Sequence, residues 1–204
     1  MFLGYASRHG HALIDRALYL PERWTKDPAR RAAAGVPEAV TFATKPKLGR
    51  AMLERALDAG VPWAWVAGDS VYGSDSALRR FVERSGRGYV LAVTGAQRLG
   101  LKPVEDWLED VPADDWQRLS AGDGAEGPRP YDWAWLPYRS ATAPGRRKGV
   151  LIRRKIGKPD APTFYLTLAP EAAGPSDLAR VAGTRWTIEA CFEAAKGEVG
   201  LDHY

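Results

Sequence analysis

Asp69 closes an apolar run, Trp63 to Ala67, and stands inside the turn Gly68-Asp69-Ser70-Val71-Tyr72-Gly73. Carboxyl ends of strands in α/β sheets are where ligands collect, because the loops there are free to vary. Glycines at 68 and 73 let backbone or a phosphate come close. The chemistry open to such a carboxylate is metal ligation; its plainer and more frequent role is turn former or helix cap. A second group lies near the other end of the chain. Arg185, Glu189 and Lys196 are spaced i, i+4 and i+11, which at about 100° per residue places them within roughly 40° of one another on a helix. Ile188, Phe192, Ala195 and Val199 form an apolar stripe beside them. Such a helix packs its apolar side on a sheet and carries a cation–carboxylate–cation row along the rim. The plainer alternative is an Arg–Glu pair worth a few tenths of a kcal/mol and an unrelated lysine.

The elements that must position these residues follow from periodicity. Phe2–Ala6 and Ala12–Leu20, separated by Ser7-Arg8-His9-Gly10, predict an antiparallel hairpin. Residues 21–46, with Pro21, Pro28, Pro37 and Pro46, read mainly as a connection. Leu48, Met52, Leu53 and Ala56 recur at helical spacing, and Gly60 with Pro62 ends that helix. A strand at 63–67, a helix opened by Ser74-Asp75-Ser76 with Leu78, Phe81 and Val82 on its core face, and a strand at 88–93 predict a parallel pair with a crossover. Residues 103–170 change character: Tyr131–Tyr138, Gly149–Ile156 and Thr163–Leu168 are short β-like runs broken by Pro and Gly, which predicts an antiparallel insertion. From Ser176-Asp177 to about Gly197 the pattern is helical again.

The 68–73 turn resembles the second-aspartate motif of bacterial insertion-sequence DDE transposases, and Arg185-x3-Glu189-x6-Lys196 resembles the signature around that family's final glutamate. The order also matches: an Asp on a strand end, a long β-rich insertion, then a Glu on a helix. The resemblance implies an RNase H-like mixed α/β sheet with flanking helices and an inserted antiparallel β-lobe. Residues 1–102 would be a partial catalytic core, 103–172 the insertion and 173–204 the C-terminal core helix. It further implies Mg²⁺ or Mn²⁺ as cofactor, Asp69 and Glu189 as catalytic metal ligands, Arg185 as a bidentate phosphate grip and Lys196 as a point charge near the DNA backbone. The chemistry would be in-line displacement at phosphorus, with two cations about 3.5–4 Å apart. Two departures stand out. Ala182 occupies the place of the family's tyrosine, three residues before Arg185. The first catalytic aspartate belongs on an opening strand upstream of the hairpin, so the sheet is expected to lack its first strand; Asp15 sits on a later strand and does not take that role.

Between Asp132 and Asp160 there is no acidic residue, while Arg139, Arg146, Arg147, Lys148, Arg153, Arg154, Lys155 and Lys158 all fall there. A patch of one sign at Arg153, Arg154 and Lys155 is a candidate surface for the DNA backbone, with a solvated hairpin as the alternative. Trp133 and Trp135 alternate along a strand and face one side; packing is the favoured role and base stacking the other. His9, His11 and His203 show no ligand spacing, and Cys191 reads as a small buried residue.

Length and composition admit one substantial core: 204 residues, 45% apolar and 26% charged. Lys and Arg outnumber Asp and Glu by 29 to 25, too mild a balance to establish a nucleic-acid partner. A single cysteine excludes an internal disulfide and a multi-cysteine zinc site, and no apolar run reaches the roughly 18 residues of a membrane helix. The expectation is a soluble, cytoplasmic protein truncated at both ends. Its partner is double-stranded DNA (transposon ends and target), with room for a homodimer of the full-length protein. Two readings lead: a transposase fragment, cleaving and joining DNA with Mg²⁺ but inactive by itself, and a non-catalytic DNA-binding remnant of one. A third, an unrelated α/β phosphohydrolase using Asp69, leaves the Arg185–Glu189–Lys196 row unexplained.

Overall fold

The computed structural model describes residues 1–124, 127–140 and 144–200, without the side chains of Pro159 and Val199. His203 and the chain end at 201–204 fall outside the described residues. The chain divides into two compact units, Met1–Pro62 and Trp63–Tyr204.

In the first unit, β1 (Phe2–Ser7) and β2 (Gly10–Arg16) form the expected hairpin, Ser7 facing Gly10 across the turn and Phe2 facing Arg16. Gly10 turns the chain at φ 144°, a conformation that favours glycine. The proline-rich connection contains two short helices, α1 (Glu22–Thr25) and α2 (Pro28–Ala33); Asp27 caps the second by accepting from the Arg30 amide. Helix α3 (Lys45–Asp58) starts earlier than periodicity suggests, because Thr44 caps it and Pro46 fits the first turn, where no amide is needed. Met52, Leu53 and Ala56 are its buried face, as their spacing predicts. Asp15 of β2 is held by Arg55 at 2.8 Å.

The second unit is built on one six-stranded mixed sheet, ordered β3-β4-β10-β9-β8-β7. Strand β3 (Trp65–Gly68) leads through α4 (Ser70–Gly73) and α5 (Ser76–Arg84) to β4 (Gly88–Val93), and the two strands are parallel, Trp65 facing Gly88 and Gly68 facing Leu91. Two short strands, β5 (Arg98–Leu99) and β6 (Lys102–Pro103), and a 3-10 turn at Val104–Leu108 precede a long meander: β7 (Gln117–Gly124), β8 (Gly127–Tyr138), β9 (Arg146–Lys155) and β10 (Lys158–Pro170). The meander, expected as an inserted lobe, shares one sheet with β3 and β4, because β10 pairs with β4 along Phe164–Leu168. The reason is legible in Phe164-Tyr165-Leu166-Thr167-Leu168, which is buried on both faces, as a central strand must be.

Residues alternate between the two faces of this sheet. Val90, Leu151, Trp133 and Tyr165 gather under α6 (Pro175–Gly183), whose Leu178, Ala179 and Ala182 complete the core there. Tyr89, Leu91 and Val93 point to the other face, where Tyr89 donates to Glu83 of α5 and Gly73 of α4 meets Val93. Thr167 is the one buried polar side chain among the described residues; its hydroxyl donates to the Gly149 carbonyl and accepts from the Trp135 indole, both at 3.0 Å. The C-terminal helical run is two helices, α6 and α7 (Arg185–Val199), broken at Thr184. Among the described residues no helix is long and apolar enough to cross a membrane.

Candidate functional site

Asp69 stands where sequence places it, directly after β3 at its carboxyl end. Its backbone is extended and its side chain caps α4, Oδ1 accepting from the Val71 amide at 2.9 Å. Asp69 is otherwise exposed. The flanking glycines serve close packing. A Cβ on Gly68 would lie 3.1 Å from Leu91 Cδ2, and one on Gly73 would fall inside contact with the Ala92 carbonyl oxygen and 2.9 Å from its carbon. They press α4 onto β4 and so fix the turn that presents Asp69. Tyr72, in the same turn, has its hydroxyl pushed above the ordinary tyrosine range by burial, and second by the negative charge of Asp69.

On α7, Arg185 donates from Nη1 to Glu189 Oε1 at 2.9 Å, and the helix runs far enough to put exposed Lys196 in its last turn on the same stripe. Ile188, Phe192 and Ala195 are half-buried, and so is Cys191, which was expected to be buried. The helix is set on the sheet by Trp186, whose ring lies parallel to that of Tyr131 with centroids 6.3 Å apart. Its start is fixed by Gly183: a Cβ there would meet the Ala121 carbonyl of β7 head-on and come within 2.6 Å of its carbon.

Asp69 follows the edge strand β3, and Glu189 stands on α7, whose Trp186 stacks on Tyr131 of β8. Among the described residues no group of three or more His, Cys, Asp or Glu side chains could hold a metal ion. Carboxylate oxygens such as those of Asp69 and Glu189 are the donor type Mg²⁺ and Mn²⁺ prefer.

The basic run divides by strand alternation. Arg153 points to the α6 face, Arg154 to the opposite one, where its guanidinium lies 3.7 Å over the Trp116 ring; Lys155 is exposed at the end of β9. Most of the remaining cations support the fold. Lys148 pairs with Glu83 at 2.9 Å, Arg147 donates to the Glu171 and Ala173 carbonyls, and Arg146 donates to the Gly86 carbonyl. Trp133 is fully buried and Trp135 is anchored to Thr167, so both pack. His9 accepts from Arg8, and His11 is exposed.

Sequence reading missed the surroundings of Trp186. Arg129 lies 4.2 Å over its ring, Arg153 5.3 Å and Arg185 5.5 Å from its centroid, and Arg153 is also 4.5 Å from the Tyr131 ring. The available signal was the alternation Arg129-x-Tyr131-x-Trp133, which puts all three on one face of β8.

Residues 1–109 match the sequence pattern of DDE superfamily endonucleases. The chain belongs to that family. The match spans the hairpin, α3, the Asp69 turn and β4, and ends before α7. A DDE endonuclease acts on DNA with divalent cations, and the mixed sheet with helices on both faces is compatible with the RNase H-like fold of such enzymes. No curated protein matches the sequence.

Proposed function

We propose that this DDE endonuclease chain is a transposase part that engages DNA, carrying Asp69 and Glu189 as two of the catalytic acids, and that by itself it does not cleave. The observation carrying this reading is the exposed carboxylate of Asp69 at the carboxyl end of a parallel strand pair, in a turn locked by Gly68 and Gly73, inside the family-matched residues. Glu189 rests on the sequence signature around it, with Arg185 and Lys196 as the phosphate-contacting cations of the same helix. The third acid is assigned to no residue of this chain, and Asp15 is occupied by Arg55. Mg²⁺ or Mn²⁺ is the cofactor class for such carboxylates, and a transposon end in double-stranded DNA is the substrate class.

The reason for inactivity is the unassigned third acid: with two carboxylates, metal affinity and geometry both suffer. Nicking of supercoiled plasmid in Mg²⁺ and Mn²⁺ tests this, together with Mn²⁺-induced NMR line broadening. The expected result is no nicking, with broadening centred on the amides of 69–73 that disappears in Asp69→Asn. Plasmid nicking that survives Asp69→Asn, or broadening indifferent to that change, refutes the assignment. A non-catalytic DNA-binding role is the second reading, and separates from the first by the Mn²⁺ response at Asp69.

A further inference from the structure

We propose that Arg129, Arg153 and Arg185, gathered around the Trp186 ring, form one site for the phosphodiester backbone of duplex DNA, in which Arg129 and Arg153 act independently of base sequence. This rests on the reading of the chain as DNA-engaging, and adds Arg129 and Arg153 to the Arg185 of the α7 signature. The three guanidiniums come from separate elements, β8, β9 and the start of α7, and all are half-buried. Arg153 lies across Tyr131, Trp133 and Trp186, at 4.5, 5.9 and 5.3 Å from their ring centroids. Its Nη2 donates to Thr163 Oγ1 at 3.1 Å, and its Nε is buried with no hydrogen-bond partner. Among the described residues Arg129 makes a single, long hydrogen bond, 3.5 Å to the Gly122 carbonyl.

Charge balance points to an anion. Among the described residues Glu189 is the one carboxylate paired with any of the three, and it takes Arg185. Among the described residues two half-buried guanidiniums therefore have no paired carboxylate, a costly arrangement that a bound anion relieves. Both Arg153 and Arg185 are felt at Tyr165, where burial raises the hydroxyl above its ordinary value and their charges pull it back. Forked donors held by aromatic shelves match phosphate oxygens in geometry. The rings are faced by guanidiniums and by each other, so they fix the cations rather than offer a platform to a base. That makes the contact one of backbone positioning, without base readout. Lys155, two residues beyond Arg153 and on the same face, extends the positive rim; Arg154, on the opposite face over Trp116, does not belong to it.

The test uses the whole chain in EDTA, with fluorescence anisotropy of labelled duplexes of two unrelated sequences, and a matching single strand, over a salt series. Removing one phosphate-contacting cation lowers the slope of log K against log salt by about 0.9 on duplex and about 0.7 on single strand. Arg129→Gln and Arg153→Gln are each expected to show the duplex decrement on both sequences. Arg118→Gln, whose side chain pairs with Asp132 on the other face, is expected to keep the parent slope. A larger effect on one sequence than the other overturns sequence independence. Parent slopes in both variants overturn the site. Should Arg153→Gln fail to fold, Arg129→Gln decides: a parent slope there is enough to reject the proposal. Because no metal is present, unchanged slopes together with Mn²⁺ broadening at Asp69 remove this inference and leave the nuclease reading standing. Absence of DNA binding by the parent chain at low salt removes DNA as partner from both.

Discussion

Replacing Gly73 by alanine isolates what the Asp69 turn depends on. The backbone of Gly73 closes α4 directly against β4, and an added Cβ would overlap the Ala92 carbonyl oxygen, lie 2.9 Å from its carbon and 3.1 Å from Val93 Cγ1. Ordinary carbon contacts are about 3.5–4.0 Å, so α4 must retreat by roughly 1 Å, or β4 must bend. The obstacle is a backbone in the middle of a sheet that also pairs with β10, which cannot swing aside as a side chain can. Overpacking of this sort costs about 1–3 kcal/mol, and a main-chain obstacle puts Gly73→Ala at the upper end. For a unit of this size that is a fall in Tm of roughly 6–12 °C. The assay is thermal unfolding by calorimetry or circular dichroism, with Gly197→Ala beside it. Gly197 lies inside α7 with nothing within 4 Å of an added Cβ, so alanine there stabilises by about 0.5–1 kcal/mol. Equal Tm values for Gly73→Ala and the parent would refute the close-approach argument, and with it the claim that packing fixes the position of Asp69.

Thr167→Val leaves the Trp135 indole N–H and the Gly149 carbonyl without their shared partner; a loss of about 1–3 kcal/mol is expected, read as a lower urea midpoint at unchanged m value. At alkaline pH the buried phenol of Tyr89 is the group to follow. Burial, then the charge of Glu83, raises it well above the ordinary tyrosine value of 10.0. Because the folded value exceeds the unfolded one, its contribution is fully present below pH 10 and is lost as pH rises, since the unfolded chain releases the proton first. Stability is expected to fall by up to about 1.4 kcal/mol per pH unit for this group above pH 10, and Tyr89→Phe to flatten the urea-midpoint profile there; an identical profile in the variant would discount it.

Much of the fold was legible because local chemistry and final structure agree. The hairpin, the parallel β3–β4 pair and the buried face of α3 all follow from spacing and caps. What sequence periodicity could not supply was partnership at a distance. The run 163–168 reads as a strand, but only the structure shows β4 as its neighbour, which joins the meander to the sheet of β3 and β4. The break at Thr184 was hidden because neither proline nor an exposed glycine marks it; the close seat of Gly183 on Ala121 accompanies it. For the site, the position of Asp69 was readable from the strand–turn–helix pattern, whereas the basic run misled. Eight cations without an acid in one stretch look like a patch, yet alternation sends Arg153 and Arg154 to opposite faces, and Lys148, Arg146 and Arg147 are spent on Glu83 and on backbone carbonyls. Arg129 and Trp186 meet only through folding, fifty-odd residues apart in sequence.

The seat of Gly183 on the Ala121 carbonyl carries a consequence for how this molecule can drift. Main chain rests on main chain there, so the origin of the last helix is registered to the edge strand like a peg in a drilled hole. Neighbouring side chains such as Leu119 and Val181 can be exchanged for others of similar bulk, altering the lining while the axis stays put. A single added methyl at 183, by contrast, would tilt the whole rod and carry its tryptophan and arginine away from the strands they meet. Variation in this region is therefore expected to be generous around that glycine and closed at the glycine itself.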